Sequence, residues 1–182
     1  MRVVCWLIAP AVVLTAGVLC AADEPEVSAK LKERLGEPTL TILKNVNRVE
    51  VFRIKPLKPD KPNDNNIAGY TILTTGKEQK MEFAAKFAGV LLLDKTYFGD
   101  QERCFLPGIA YRLWTDKKES VDVLLGIGCS NLRLVSRDAE GKEIKSVSGG
   151  FGPDIVPLLK LSKVAFPDDK DIQEITEEKK LP

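Results

Sequence analysis

The sequence predicts an α+β fold: an antiparallel sheet of about five to six strands, with a helix packed across one face and a C-terminal helix. The first ground is the stretch Cys104 to Cys129, in which Ile109 to Thr115 and Glu119 to Ile127 alternate with period two around the polar triplet Asp116-Lys117-Lys118, the pattern of an antiparallel hairpin. The second is a helical stripe between Met81 and Leu92. The third is element order: strand, strand, helix, then a meander, then helix, which is not the alternation of a βαβ fold.

Residues 1–22 hold Arg2, a long apolar run and a small-residue end at Cys20-Ala21-Ala22, which reads as an export signal cleaved after Ala22. A lipid anchor at Cys20 is disfavoured by the bulky Leu19 before it, and an uncleaved membrane anchor is the other alternative, since about twenty apolar residues span a bilayer. The chain carries 27 basic and 26 acidic residues, and removing the signal removes Arg2 alone, leaving residues 23–182 neutral. That balance, without a basic stripe interleaved with aromatics, argues against nucleic acid as a partner. Residues 23–182 are expected to form one α+β domain, periplasmic or extracellular, with no stable membrane span once the signal is gone.

A short helix is expected within 25–38, because Val27, Leu31 and Leu35 recur every fourth position ahead of Gly36 and Pro38. Leu40 to Leu43 and Val49 to Ile54 are both rich in β-branched residues, and Val49 to Ile54 reads as the first strand of the sheet. PLKPDKPNDNN, from Pro56 to Asn66, is expected to be an exposed, mobile loop. Ile67 to Thr74 reads as a second strand. Thr75 with Glu78 gives a capping box for the helix whose stripe is Met81, Ala84, Ala85, Ala88, Leu91 and Leu92, widened by Phe83 and Phe87. Leu132 to Ser136 and Ile144 to Ser148 alternate around Asp138 to Gly141 as a further hairpin. The last helix has Asp154 as N-cap, Pro157 in its first turn and Leu158, Leu159, Ser162, Ala165 and Phe166 on its buried side; the tail 168–182 adds a turn and then frays.

In the central hairpin, pairing Thr115 with Glu119 sets Leu113 opposite Val121, Tyr111 opposite Val123 and Ile109 opposite Leu125, a wholly apolar face. The other face then carries Arg112 opposite Asp122, Trp114 opposite Ser120 and Ala110 opposite Leu124. Arg112, Trp114, Asp122 and Leu124 are the candidate binding residues. This face is either covered by the helix after Asp154, the commoner fate of a tryptophan, or open as a contact surface; the expectation adopted is a partly exposed Trp114.

Histidine is absent, which removes Ser-His-Asp and Cys-His nucleophiles and most zinc geometries. Cys104 and Cys129 are expected to form a disulfide in an oxidising compartment, with a redox pair as the alternative, although no CxxC supports one. The extended hairpin register opposes Cys129 to Phe105, so the bond needs a break in the strand, and Pro107-Gly108 is the place for it. Gly126-Ile127-Gly128 lacks the rest of a phosphate-binding loop and reads as a strand end. Asp168, Asp169 and Asp171 lack calcium-loop spacing and read as a helix N-cap. Asp94, Asp100, Glu102 and Asp122 form no acid–base pair by spacing. No metal site or cofactor is expected.

The run Cys104-Phe105, Pro107-Gly108, Ala110, Arg112, then Val121 to Leu124 and Cys129, with Ala165 to Asp169 near the end, resembles a group of small uncharacterised exported bacterial proteins. Members often carry a further cysteine where this chain has Gly126, and no activity attaches to the group. The expected function is a non-enzymatic module that binds an unidentified protein or envelope component through a sheet face or the Pro56 to Asn66 loop. A thiol- or carboxylate-dependent enzyme, or a structural envelope protein without a discrete ligand, are the alternatives.

Overall fold

The structure is a computed structural model that describes residues 27–61, 63–97, 104–150 and 156–176. The expected signal, Asp100, Glu102, Asp154 and the last residues of the tail lie outside the described residues. Among the described residues seven strands form one antiparallel sheet: β1 (Arg48–Ile54), β2 (Asn66–Ile67), β3 (Tyr70–Thr75), β4 (Ile109–Trp114), β5 (Ser120–Gly126), β6 (Asn131–Arg137) and β7 (Glu143–Gly150). Their order across the sheet is β2-β3-β1-β4-β5-β6-β7, so the central hairpin β4–β5 lies between β1 and β6. Among the described residues five α-helices accompany it: α1 (Ala29–Leu35), α2 (Glu37–Lys44), α3 (Met81–Leu91), α4 (Val156–Ala165) and α5 (Lys170–Gln173).

The hairpin adopts the expected register, with Leu113↔Val121, Tyr111↔Val123 and Ile109↔Leu125. Thr115 N–H donates to Glu119 O at 3.0 Å and Lys118 takes φ 63°, which is how a three-residue loop returns the chain without splaying the strands. All six apolar residues of this face are essentially inaccessible to solvent. Around them gather Leu31 and Leu35 of α1, Leu40 and Leu43 of α2, Phe83 and Phe87 of α3, and Leu158 and Leu159 of α4, forming one core on one side of the sheet. Tyr111 joins the layers: its ring lies 4.3 Å from that of Phe87, and its hydroxyl donates to Ser162 Oγ on α4 at 2.6 Å.

Three local readings need correction. Leu40 to Leu43 is helical, because Gly36 at φ 74° ends α1 and at once starts α2, where Pro38 occupies a first-turn position that needs no N–H. Thr75 and Glu78 do not cap α3: Thr75 pairs with Phe52 at the end of β3, Glu78 reaches Arg48, and Gln79 exchanges backbone hydrogen bonds with Val49. The helix therefore begins at Met81 after Lys80, without a side-chain cap. Its stripe turns accordingly, burying Phe83, Ala84, Phe87, Ala88 and Leu91 and leaving Met81 66% exposed and Ala85 in solvent, because the two phenyl rings offer the larger area to bury. Finally, Ala68 and Gly69, at φ 48° and 85°, fold Ile67 back on Tyr70, so one expected strand is two and the strand count rises to seven.

The Pro56 loop is exposed along its first half, but asparagines pin its second half to β3. Asn63 Nδ2 donates to Thr71 Oγ1 at 2.9 Å and Asn65 Nδ2 to Ile72 O at 3.1 Å.

Burial raises the phenol pKa of Tyr97 and Tyr111 well above the ordinary value, and burial, partly offset by Arg133, raises that of Tyr70. These are all the tyrosines of the chain. A raised folded-state pKa means that above the unfolded value of about 10 the unfolded chain releases protons that the native chain keeps. Stability from these groups is thus complete below about pH 10 and falls as pH rises beyond it. An absorbance titration should show no phenolate from Tyr97 and Tyr111 while the fold persists, and then a step coincident with unfolding; smooth titration of all three tyrosines near the free value in folded protein would contradict the packing.

Candidate functional site

All the helices whose residues enter the main core pack on one side of the sheet, and the other side is built differently. Strand alternation and the observed registers put Arg48, Glu50 and Phe52 of β1 on it, opposite Trp114, Arg112 and Ala110 of β4. Ser120, Asp122 and Leu124 of β5 follow, and then Arg137, Val135 and Arg133 of β6. The sheet curls, so Tyr70 of β3 comes within electrostatic reach of Arg133 of β6, although β1, β4 and β5 stand between their strands. This face is therefore concave.

Its two halves differ. Phe52, Ile54, Ile67, Tyr70, Ala110 and Leu124 form a small apolar cluster under Phe105, whose ring meets Tyr70 edge-on at 6.3 Å. Leu124, one of the four candidate residues, is fully buried there and packs in this cluster. The other half is polar. Asp122, also fully buried, accepts from Arg112 Nε at 2.6 Å and Arg112 Nη2 at 3.1 Å, and from Arg137 Nε at 3.0 Å. One carboxylate thus clamps two guanidinium groups in fixed planes. Burial works against the charge of Arg112, but the hydrogen bonds and charge of Asp122, with Glu50 beyond, outweigh it and raise the arginine pKa.

Trp114 is half-buried at the edge of this network. Its Nε1–H donates to Glu50 Oε2 at 2.7 Å, and the guanidinium carbons of Arg48 and Arg112 lie 5.2 and 5.7 Å from its ring centre. Cation–π contacts of this kind orient both partners. Beside the indole opens a cleft of about 390 Å³ between Arg48, Trp114 and Thr115 on one side, Lys118 at the hairpin turn, and Glu140 and Gly141 of the β6–β7 turn. That turn is held against the network by Arg137 Nη1, which donates to Gly141 O at 3.1 Å.

Arg112, Trp114 and Asp122 therefore belong to one network, and Arg48, Glu50 and Arg137 join it without having been singled out from the sequence. The signal was present: extending the hairpin register into Leu132 to Arg137 puts Arg133 and Arg137 on the face of Asp122.

Cys104 and Cys129 are bonded, with Cα atoms 5.7 Å apart. The register that opposed Cys129 to Phe105 does not reach it, because β5 ends at Gly126 and Cys129 sits in the following turn, its N–H donating to Gly126 O at 3.1 Å. A second cleft of about 310 Å³ adjoins this bond, lined by Arg53, Leu73, Leu106 and Ile127. The charge of Arg53 is matched there by Asp169 at 3.0 Å and Asp171 at 3.6 Å. Asp169 also caps α5, accepting from Ile172 N at 3.1 Å, as expected of an N-cap. Among the described residues no three His, Cys, Asp or Glu side chains are grouped to hold a metal ion, and no helix is long and apolar enough to cross a membrane. No family model, curated protein or solved structure matches the chain.

Proposed function

We propose that the protein is an exported, non-enzymatic binding module whose ligand, an envelope component, occupies the cleft beside Trp114 on the face of the sheet that none of the described helices covers. The observation that carries this reading is a half-buried tryptophan fixed by Glu50, Arg48 and Arg112 at the mouth of a cleft, on a face that the core helices leave uncovered. A merely structural tryptophan gains most by full burial, whereas one held in place at a solvated edge is suited to contact a partner.

Two further features favour binding over catalysis. The disulfide occupies both thiols of residues 23–182, and the two carboxylates at the centre of the network, Asp122 and Glu50, are engaged as hydrogen-bond acceptors. Neither is placed as a free acid or base toward the cleft. The export signal at residues 1–22 and the disulfide both support a periplasmic or extracellular location.

The reading is tested by the accessibility of Trp114. In the full chain carrying Trp6→Phe, which leaves Trp114 as the sole tryptophan, acrylamide should quench the emission readily in the folded protein. Blue, unquenched emission would show a covered face.

A further inference from the structure

Donors outnumber acceptors in the hydrogen-bonding capacity that this face leaves open, although the exposed carboxylate of Glu140 stands at the cleft rim. Two other acids are engaged inside the network: Asp122 is buried beneath two arginines, and Glu50 accepts from both Trp114 and Arg48. The side chains of Arg48, Arg112 and Arg137 are 43%, 24% and 23% exposed, against 28% for Glu50 and 0% for Asp122. A guanidinium carries five N–H donors. Arg48 contributes Nη1 alone, at 3.4 Å to Glu50 and to Glu78, and Arg133 contributes Nε to Ser146 Oγ at 3.0 Å. Lys118, exposed at the hairpin turn, adds an ammonium to the cleft rim.

Surplus donors on planes fixed by Asp122 and the Trp114 ring are complementary to a ligand rich in anionic acceptors. The cleft also fixes the form of that ligand. Its volume is that of a small-molecule site rather than of a flat macromolecular contact. One tryptophan, without a row of aromatics, gives no platform for successive bases. The exposed Glu140 supplies an acceptor for hydroxyl groups beside the cationic pair.

We propose that the cleft takes an acidic oligosaccharide of uronate type, its carboxylates meeting Arg48 and Lys118 and a sugar ring lying against the exposed edge of Trp114. The proposal rests on the helix-free face being the binding surface. The test is calorimetric titration of the full chain with trigalacturonate, with galactotriose, inorganic sulfate and a single-stranded DNA oligomer as comparisons.

Saturable trigalacturonate binding is expected, weakened by salt and reduced about tenfold or more in Arg48→Gln and in Lys118→Gln. Lys86→Gln, on the exposed side of α3, should leave it unchanged. Equal affinity in Arg48→Gln and Lys118→Gln, tighter binding of the DNA, or binding of sulfate as tight as that of the sugar acid would each overturn the proposal. Galactotriose bound as tightly, with loss in Trp114→Ala, would overturn the acidic class and leave the binding face standing. No binding of any probe by folded protein would also overturn the ligand class; a covered, unquenched Trp114, or one whose quenching a bound ligand leaves unchanged, would remove the face itself.

Discussion

Asp122→Ala is expected to lower stability by about 3 to 5 kcal/mol, a fall in melting temperature on the order of 10 °C. The carboxylate is fully buried and neutralises two guanidiniums that are less than a quarter exposed. Its loss leaves Arg112 and Arg137 facing one another with unmet donors and like charge, a penalty distinct from losing the attraction itself. A triple variant, Asp122→Leu with Arg112→Met and Arg137→Met, removes the stranded charges together and should recover much of the loss. Denaturant unfolding measures both. A small effect of Asp122→Ala, or a triple variant worse than the single one, would show that the network does not close this face.

Cys104→Ser should cost about 3.5 kcal/mol, the chain-entropy value for a bridge between cysteines 25 residues apart. The effect should also have a local part. The bridge tethers the segment that places Phe105 over Tyr70, Ala110 and Leu124, so amide exchange in β3 and at the start of β4 should rise more than in β6. A non-reducing peptide map of protein from its native host should recover Cys104 and Cys129 in one linked species. Free thiols at both positions would revive the redox alternative.

The parts of the fold readable from the sequence are those set by local periodicity. The hairpin register followed from alternation, since a slip of one residue would mix the apolar face with the one that carries Arg112 and Asp122. The buried side of α4 followed in the same way, and the disulfide followed from two cysteines that bracket one hairpin. Features decided by remote partners were not readable. Thr75 and Glu78 satisfy a capping pattern, yet Phe52 and Arg48, more than twenty positions earlier, claim them. Leu40 to Leu43 is too short a run to separate helix from strand by period, and the left-handed turn at Gly36 decides it. The site was half legible for the same reason: Arg112, Trp114 and Asp122 share a hairpin, whereas Arg48 and Glu50 arrive only because β1 pairs with β4.

The measurement that bears most directly on the helix-free face as the working surface is acrylamide quenching of Trp114 in the Trp6→Phe chain, free and then saturated with trigalacturonate or with whichever carbohydrate the titrations find bound. Ready quenching is expected in the free protein, with clear protection on saturation. Emission that is already shielded without ligand, or unchanged by a ligand shown calorimetrically to be bound, would place the binding site elsewhere on the molecule.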